Sequence, residues 1–436
     1  MCRHVRTILF VVCTALAWTN PAAADVVTDW NQTILATAGA AAPAGRGATP
    51  ASLIDIATVH LAMHDAAQAY DKRFESYAGV IPGASGSSIV AVAKAAHDVL
   101  ANRFPLQAGA LGTLYSTYLS NLVPLPSAEA IANGEAIGRQ AALNVIGARL
   151  GDGSFPSSFA QFTGGTGPGQ WRPNAGTPGM VAPWAGDVRP FAIETVQRCE
   201  PDELPALTSL EYAEAYFEVK AFGRATNSAR TAEQGEIARM YSGAFPAQYN
   251  RLLRDIALAH LAGSDVASLG DRARLFALTT AASADAFICS WHAKKKFNFW
   301  RPTTAIQEGH LDGNILTDRD ATWTAYFGVP PNYSDYTSGA NNLTGATFRM
   351  LQLYFGNDRP FSFNIWSINP AVPLLASDPN PRVYTRFSDV MKDVIDARVW
   401  LGIHFRFADT EARSQGRRAA MHTFKNILTP FDKKDK

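Results

Sequence analysis

Three cationic side chains and one imidazole define the chemistry open to this 436-residue chain. Lys294 closes the stretch Trp291-His292-Ala293-Lys294, and Arg301 follows seven residues later, just before Pro302. Positions seven apart lie two helical turns along nearly the same face, and Pro302 would stop or bend such a helix beside Arg301. Downstream stand Tyr336-Thr337-Ser338-Gly339-Ala340 and then Arg398-Val399-Trp400-Leu401-Gly402-Ile403-His404. An ammonium supplies a point charge, and two guanidinium groups supply planar forks suited to paired oxygens. Ser338 adds a hydroxyl, Gly339 lets backbone approach closely, and a helix starting there would aim free N–H groups the same way. Such a set suits a tetrahedral oxyanion. Taken singly, each residue has a plainer reading as a surface ion pair or a helix start, and Lys295 and Lys296 are read as a solvated patch.

The order Lys-x6-Arg-Pro, Ser-Gly, Arg-x5-His resembles the superfamily of vanadium-dependent haloperoxidases and type 2 phosphatidic acid phosphatases. The haloperoxidase branch is also resembled by His60 to Ala66, Asp285-Ala286, Asn298 to Pro302, Arg349 to Gly356 and Gly402 to Phe407. The likeness runs over most of the chain after residue 50 and is strongest from 270 to 425. It implies vanadate as cofactor, with His404 as metal ligand and Lys294, Arg301, Ser338, Gly339 and Arg398 as the cradle. Phosphate is the alternative occupant. His404, Lys294 and Arg398 would be the catalytic set, and Trp291 and Tyr333 would shape a halide pocket. The reactants implied are hydrogen peroxide, a halide and a small organic acceptor. In the phosphatase branch the matching His is instead the nucleophile.

Ala340 departs from the pattern, because the family carries an acid/base His there. Loss of such a group typically costs about 10²–10⁴-fold in rate. Asp335, Tyr336, His292 and His310 are the nearby groups that could stand in for it. Asp409 falls one residue later than the acid that the phosphatases place after their His. Three functions therefore compete: a haloperoxidase-like enzyme, an acid phosphatase with His404 as nucleophile, and a non-catalytic oxyanion binder. His404 follows Arg398 by about 120° on an ideal helix, so convergence of the two requires a bend, which Gly402 allows. His60 and His64 have a metal-compatible spacing without an evident third ligand, and a buried structural role is favoured.

The elements that must position these groups are helices. Apolar periodicity predicts them at about 51–70, 87–103, 108–122, 127–148, 208–223, 231–243, 246–263, 267–296, 339–355, 384–401 and 410–427. Strand alternation is scarce. The fold class is all-α, two packed helical bundles with the active site in the C-terminal bundle. One large domain is expected over 25–436, with a helical half at about 50–150 and a Gly/Pro-rich connection at 151–207. The anion-binding helical half spans about 208–430. Residues 25–50 read as a loosely ordered arm, and the Trp and Pro neighbourhoods within 151–190 argue for packed coverage.

Residues 1–24 read as a secretory signal: Arg3 and Arg6, an apolar core, then Ala22-Ala23-Ala24. The expectation is a secreted or periplasmic protein, free of membrane spans. With 39 basic and 38 acidic side chains, removal of the leader leaves a net charge of about −1. That balance gives no reason to expect nucleic acid or an anionic membrane as partner, and it leaves a homo-oligomer open. Cys199 and Cys289 remain after cleavage. The chain is long enough to fold on its core alone, so two buried free thiols are expected.

Overall fold

The computed structural model describes residues 25–40, 51–155 and 160–431, and the leader lies outside them. The N-terminal half holds α1 (Val26–Ala40), α2 (Ser52–Asp71), α3 (Ser88–Arg103), α4 (Ala108–Ser120) and α5 (Ala128–Ala148). The C-terminal half holds α6 (Leu210–Phe222), α7 (Ala232–Met240), α8 (Phe245–His260), α9 (Val266–Phe297), α10 (Pro302–Gln307), α11 (Gly339–Phe355), α12 (Phe387–Trp400) and α13 (Arg406–Asn426). Two short strands, β1 (Phe363–Ile365) and β2 (Arg382–Tyr384), pair antiparallel beside the second bundle. The all-α expectation holds.

Helix α2 is the hub of the first bundle, packing on α3 and α5 and, across the molecule, on α9. Its buried face includes Leu53, Ile54, Ile56, Ala57, Leu61 and Met63. Helix α9 is the spine of the second bundle, flanked by α11 and α13. Caps place several starts: Ser87, Ser127, Ser209, Thr231, Asp265 and Ser338 each accept a backbone N–H from the first turn of α3, α5, α6, α7, α9 and α11.

Three features differ from, or add to, the sequence reading. Residues 26–40 are helix rather than arm. Val26, Val27, Trp30, Ile34 and Ala38 recur at helical spacing and are buried, so the Ala-rich composition hides an apolar stripe. The Cys199–Cys289 pair is a disulfide, not two thiols. A turn at Val196–Cys199 lies against α9 and brings the sulfurs together, a long-range contact that spacing does not encode. His60 and His64 are core residues. The ring of His60 stacks on Phe276, with Nε2 at 2.9 Å from Asn31, and His64 Nε2 bonds the Glu75 carbonyl. Burial pushes them down to about 3 and about 4, so both are neutral.

The Gly/Pro-rich connection is a packed coat, as expected. Trp171 and Trp184 are buried, and Trp171 N–H donates to the Asn298 carbonyl at 2.8 Å. Buried Asp285 on α9 accepts three successive N–H groups, from Phe191, Ala192 and Ile193, at 2.6, 2.9 and 3.0 Å. The disulfide adds a covalent tie to the same helix. Replacing both cysteines by serine is expected to cost about 2–5 kcal/mol, read as a lower midpoint of thermal unfolding. An unchanged midpoint would mean that the cross-link adds nothing to a coat already fastened by Asp285.

Candidate oxyanion site

Lys294 and Arg301 converge, but not by riding one helix. Helix α9 ends at Phe297, where Asn298 turns left-handed (φ 46°) and returns its N–H to the Lys294 carbonyl. Arg301 is the N-cap of the separate helix α10, and Pro302 opens that helix rather than closing α9. Both side chains then meet the strap 333–338. Lys294 Nζ donates to the carbonyls of Ser334 (2.7 Å) and Asp335 (3.1 Å). Arg301 Nε donates to the Tyr333 carbonyl at 2.7 Å and Nη1 to the Ile403 carbonyl at 2.6 Å.

The bend expected between Arg398 and His404 is present. Helix α12 stops at Trp400, and Gly402 has φ 77°. A Cβ there would sit 2.3 Å from the Gly223 carbonyl oxygen, so the tight turn requires glycine. Arg398 stays on the last turn of α12, with Nη1 donating to the Tyr241 carbonyl at 3.2 Å. His404 is delivered just before α13, fully buried, with Nε2 at 3.2 Å from Arg301 Nη1.

Ser338 caps α11, its hydroxyl accepting the Asn341 N–H at 3.4 Å. A Cβ on Gly339 would meet the Trp291 ring at 2.9 Å, so here glycine lets an aromatic ring lie on the helix start. Trp291 and Tyr333 pack with centroids 5.0 Å apart, and Lys294 Nζ lies 5.7 and 4.8 Å from their rings. Arg301 stands 4.7 Å over the Tyr333 ring. Thus the two aromatic residues read as a halide pocket border the cations. Ala340 is buried in the larger core and brings no titrating group.

Of the possible stand-ins for the missing imidazole, three lie elsewhere. The Tyr336 hydroxyl donates to the Asp202 carbonyl at 2.7 Å. His310 is exposed, and His292 is half-buried beside the turn Pro183–Asp187. Lys295 and Lys296, read as a solvated patch, instead form ion pairs with Asp187 and Glu200 at the surface. Asp335 is inside the cup: its carboxyl Oδ1 is 2.7 Å from His404 Nδ1 and 3.5 Å from Arg301 Nη1. Asp409 contacts the α11 start instead of His404, accepting from Asn341 Nδ2 at 2.7 Å and bonding the Ser338 hydroxyl. Sequence reasoning named both acids without placing either. A carboxylate three residues before the Ser-Gly pair was the available signal for Asp335.

Charge in this cup is costly. Burial first, then Arg301, holds Lys294 well below its ordinary value, and the same two causes push His404 well below its own. Burial also lowers Arg398. Burial raises Asp335 to about 7 against the pull of Arg301 and Lys294, and raises Asp409 to about 8. Arg301 Nη2 and Arg398 Nε are buried with no hydrogen-bond partner. Such donors are expensive to leave unmatched. A tetrahedral oxyanion carries the acceptors that this donor set lacks, so the residues present fit the group that the family pattern implies.

The architecture is that of two-bundle α-helical proteins with a buried polycationic cup, and the chain is similar to known proteins in both sequence and fold. Residues 274–433 match the family model described as the VCPO second helical-bundle domain. A vanadium chloroperoxidase of Curvularia inaequalis is 30% identical over 208 residues, 39% of this chain and 34% of that protein. The alignment therefore spans about a third of that relative's length. The crystal structure described as that of the first bacterial vanadium-dependent iodoperoxidase superposes with a TM-score of 0.72 at 21% identity, covering 94% of this chain and 97% of that one. Apo- and holo-type bacterial vanadium-dependent chloroperoxidases superpose at 0.68, with 20% and 19% identity, covering 88% and 89% of this chain and 94% of each of theirs. The resemblance to the vanadium-dependent haloperoxidases holds, in sequence over the second bundle and in fold over nearly the whole chain.

The protonation pattern gives a signed expectation. A bound anion favours the protonated forms of Lys294, Asp335 and Asp409, so binding takes up protons and affinity falls as pH rises through about 7 to about 8. Phosphate titrations by calorimetry, in buffers of differing ionisation enthalpy, measure that uptake directly. Proton release on binding would contradict the charge distribution described. Arg398→Ala, which removes an unmatched buried donor and a charge, is expected to weaken phosphate binding about 10–100-fold.

Proposed function

We propose that this protein is a haloperoxidase-like enzyme that oxidises a halide with hydrogen peroxide at a vanadate held by His404. The observation that carries the reading is the pair of buried, unmatched guanidinium nitrogens on Arg301 and Arg398, in a cup shared with Lys294 and His404. Vanadate, when bound, supplies the Lewis acidity that activates peroxide toward halide. The chain's own part is electrostatic. Lys294, Arg301 and Arg398 balance the anion's charge, and the Ser338 hydroxyl and the first N–H groups of α11 add neutral donors. His404, held well below its ordinary value by burial, would present a ring nitrogen as ligand. Trp291 and Tyr333 exclude water from one side and would border the halide. A small organic acceptor would meet the oxidised halogen outside this cup.

The cradle so read has alanine at 340 where the family pattern puts the proton-transfer imidazole, so the reading includes slow turnover. Secretion or periplasmic export is proposed on the leader at 1–24. Among the described residues no helix is long and apolar enough to cross a membrane. We also propose the whole of 25–436 as one domain. Phosphate as the resident anion, with His404 as a phosphatase nucleophile, is the second reading, and one observation favours it. His404 is paired to a carboxylate, Asp335, as a nucleophilic imidazole needs. A binder without turnover is the third outcome.

Halide-dependent halogenation of a reporter dye after vanadate loading is the test. We expect weak activity in the natural chain and a gain of about 10²-fold or more in Ala340→His. Vanadate binding without halogenation in either form would sink the enzymatic reading. Phosphate-ester hydrolysis that vanadate inhibits and His404→Ala abolishes would move the assignment to the phosphatase.

A further inference from the structure

Gln415 lies outside the Lys, Arg-Pro, Ser-Gly and Arg-x5-His pattern, yet it joins three segments around Ser338. It is fully buried on α13. Its Oε1 accepts the Thr337 hydroxyl and Asn342 Nδ2, each at 2.8 Å, and its Nε2 donates to the Cys199 carbonyl at 2.6 Å. A carbonyl only accepts and an amide nitrogen only donates, so Cys199 and Asn342 fix which end of the Gln415 amide faces which. A carboxylate has no donor and an apolar side chain has neither group, so only an amide of this length serves both ends. Gly416 makes the reach possible. A Cβ there would sit 2.1 Å from the Asn342 carbonyl oxygen, so α13 lies directly against α11 at this turn.

The peptide 337–338 is gripped from several directions at once. Ser290 on α9 donates to the Thr337 carbonyl at 3.1 Å, and the Ser338 N–H donates to the Ala408 carbonyl at 3.2 Å. Asn342 Nδ2 stands 2.9 Å from Thr337 Oγ1 and 3.3 Å from the Ser338 carbonyl. We propose that Gln415 is a positioning residue for the anion site: it holds Thr337, and through Thr337 keeps the Ser338 hydroxyl in register with the cations of the cup. The Cys199 end of the amide ties that grip to the coat, so the disulfide-bearing turn and the start of α11 are one mechanical unit. A donor displaced by a fraction of an ångström or tilted away binds an anion less well, because hydrogen bonds weaken steeply with poor geometry. The consequence for anion affinity rests on the function proposed above. The hold on the strap does not.

The experiment uses the full mature chain and inorganic phosphate as probe. Gln415→Met keeps the length of the side chain and removes both polar ends. Its phosphate affinity, by calorimetry, is expected to fall about 10-fold. In a Ser338→Ala background the same substitution is expected to cost less than about 2-fold, because the group it positions is gone. A lower thermal midpoint is expected in both backgrounds, which separates positioning from stability. Without phosphate, hydrogen exchange over 336–342 is expected to quicken in Gln415→Met while that of α2 stays the same. Should Gln415→Met fail to fold, Thr337→Val removes the other partner of the bond and carries the same expectations. An equal loss of affinity with and without the Ser338 hydroxyl overturns the proposal. So does unaltered exchange of the strap, or an affinity left at the wild-type value. A wild-type chain that binds neither phosphate nor vanadate counts against the functional reading alone, and the exchange result then decides whether Gln415 holds the strap.

Discussion

Like charges buried together are the constraint on which this structure turns. Lys294, Arg301 and Arg398 are all removed from water in one cup, and mutual repulsion adds to desolvation. Their partners within the protein are mostly backbone carbonyls, those of Ser334, Asp335, Tyr333, Ile403 and Tyr241. Carbonyl dipoles offset part of a charge without neutralising it. The two buried carboxyls do no more, because the burial that disfavours the cations also pushes Asp335 and Asp409 toward their neutral forms. A cup built this way holds positive potential in reserve, which is what recognition of a small, highly charged anion requires.

Rigidity elsewhere keeps the cup from relaxing. Were the strap 333–338 or the turn at Gly402 free to move, the cations would separate and take up water. The strap is fastened at Ser334, whose hydroxyl donates to the Lys294 carbonyl at 2.7 Å. It is fastened again at Thr337, which joins Gln415 on α13 at 2.8 Å. Gln415 also receives Asn342 on α11 and donates to the Cys199 carbonyl at 2.6 Å. The disulfide, the coat, α11 and α13 thus share one buried polar junction one residue before Ser338. Such a junction is stiff because its donors converge on shared acceptors, and breaking one bond weakens the others, although Asn342 Oδ1 is itself left unmatched.

How far the sequence could disclose this depends on whether a feature is local. Helix bodies were legible because apolar periodicity is a property of neighbouring residues, as over α6 and α11. The bend before His404 was legible from Gly402 for the same reason. The convergence of Lys294 with Arg301 was read correctly for the wrong cause. Seven residues suggested one helix face, whereas Asn298 breaks the helix and Arg301 reaches the cup from a separate start. Helix α1 was missed because alanine and threonine dilute its stripe. The disulfide and the Asp335–His404 pair were not legible, since each joins segments that only the packed fold brings together. For Asp409 the offset from His404 was counted along the chain, and the turn into α13 sends it to Ser338 instead.

Binding and proton transfer draw on different parts of this site. The charge-bearing groups come from α9, the α10 start and α12, and His404 comes from the turn before α13. The side chain at position 340 belongs to the larger apolar core. That side chain is the only place where the family pattern supplies a proton carrier on α11, and here it is a methyl group in the core. An alanine at the second position of a helix is structurally benign, with no cavity to open and no cap to lose. The substitution could therefore leave fold, cradle and aromatic border intact while removing one chemical step. A chain that kept only a bundle and lost its function would have no reason to keep buried guanidinium nitrogens unmatched, because exchanging them for apolar groups is often neutral or stabilising. Buried unmatched guanidinium nitrogens beside a methyl group at 340 are in keeping with the anion binding proposed above, and they carry no information on turnover.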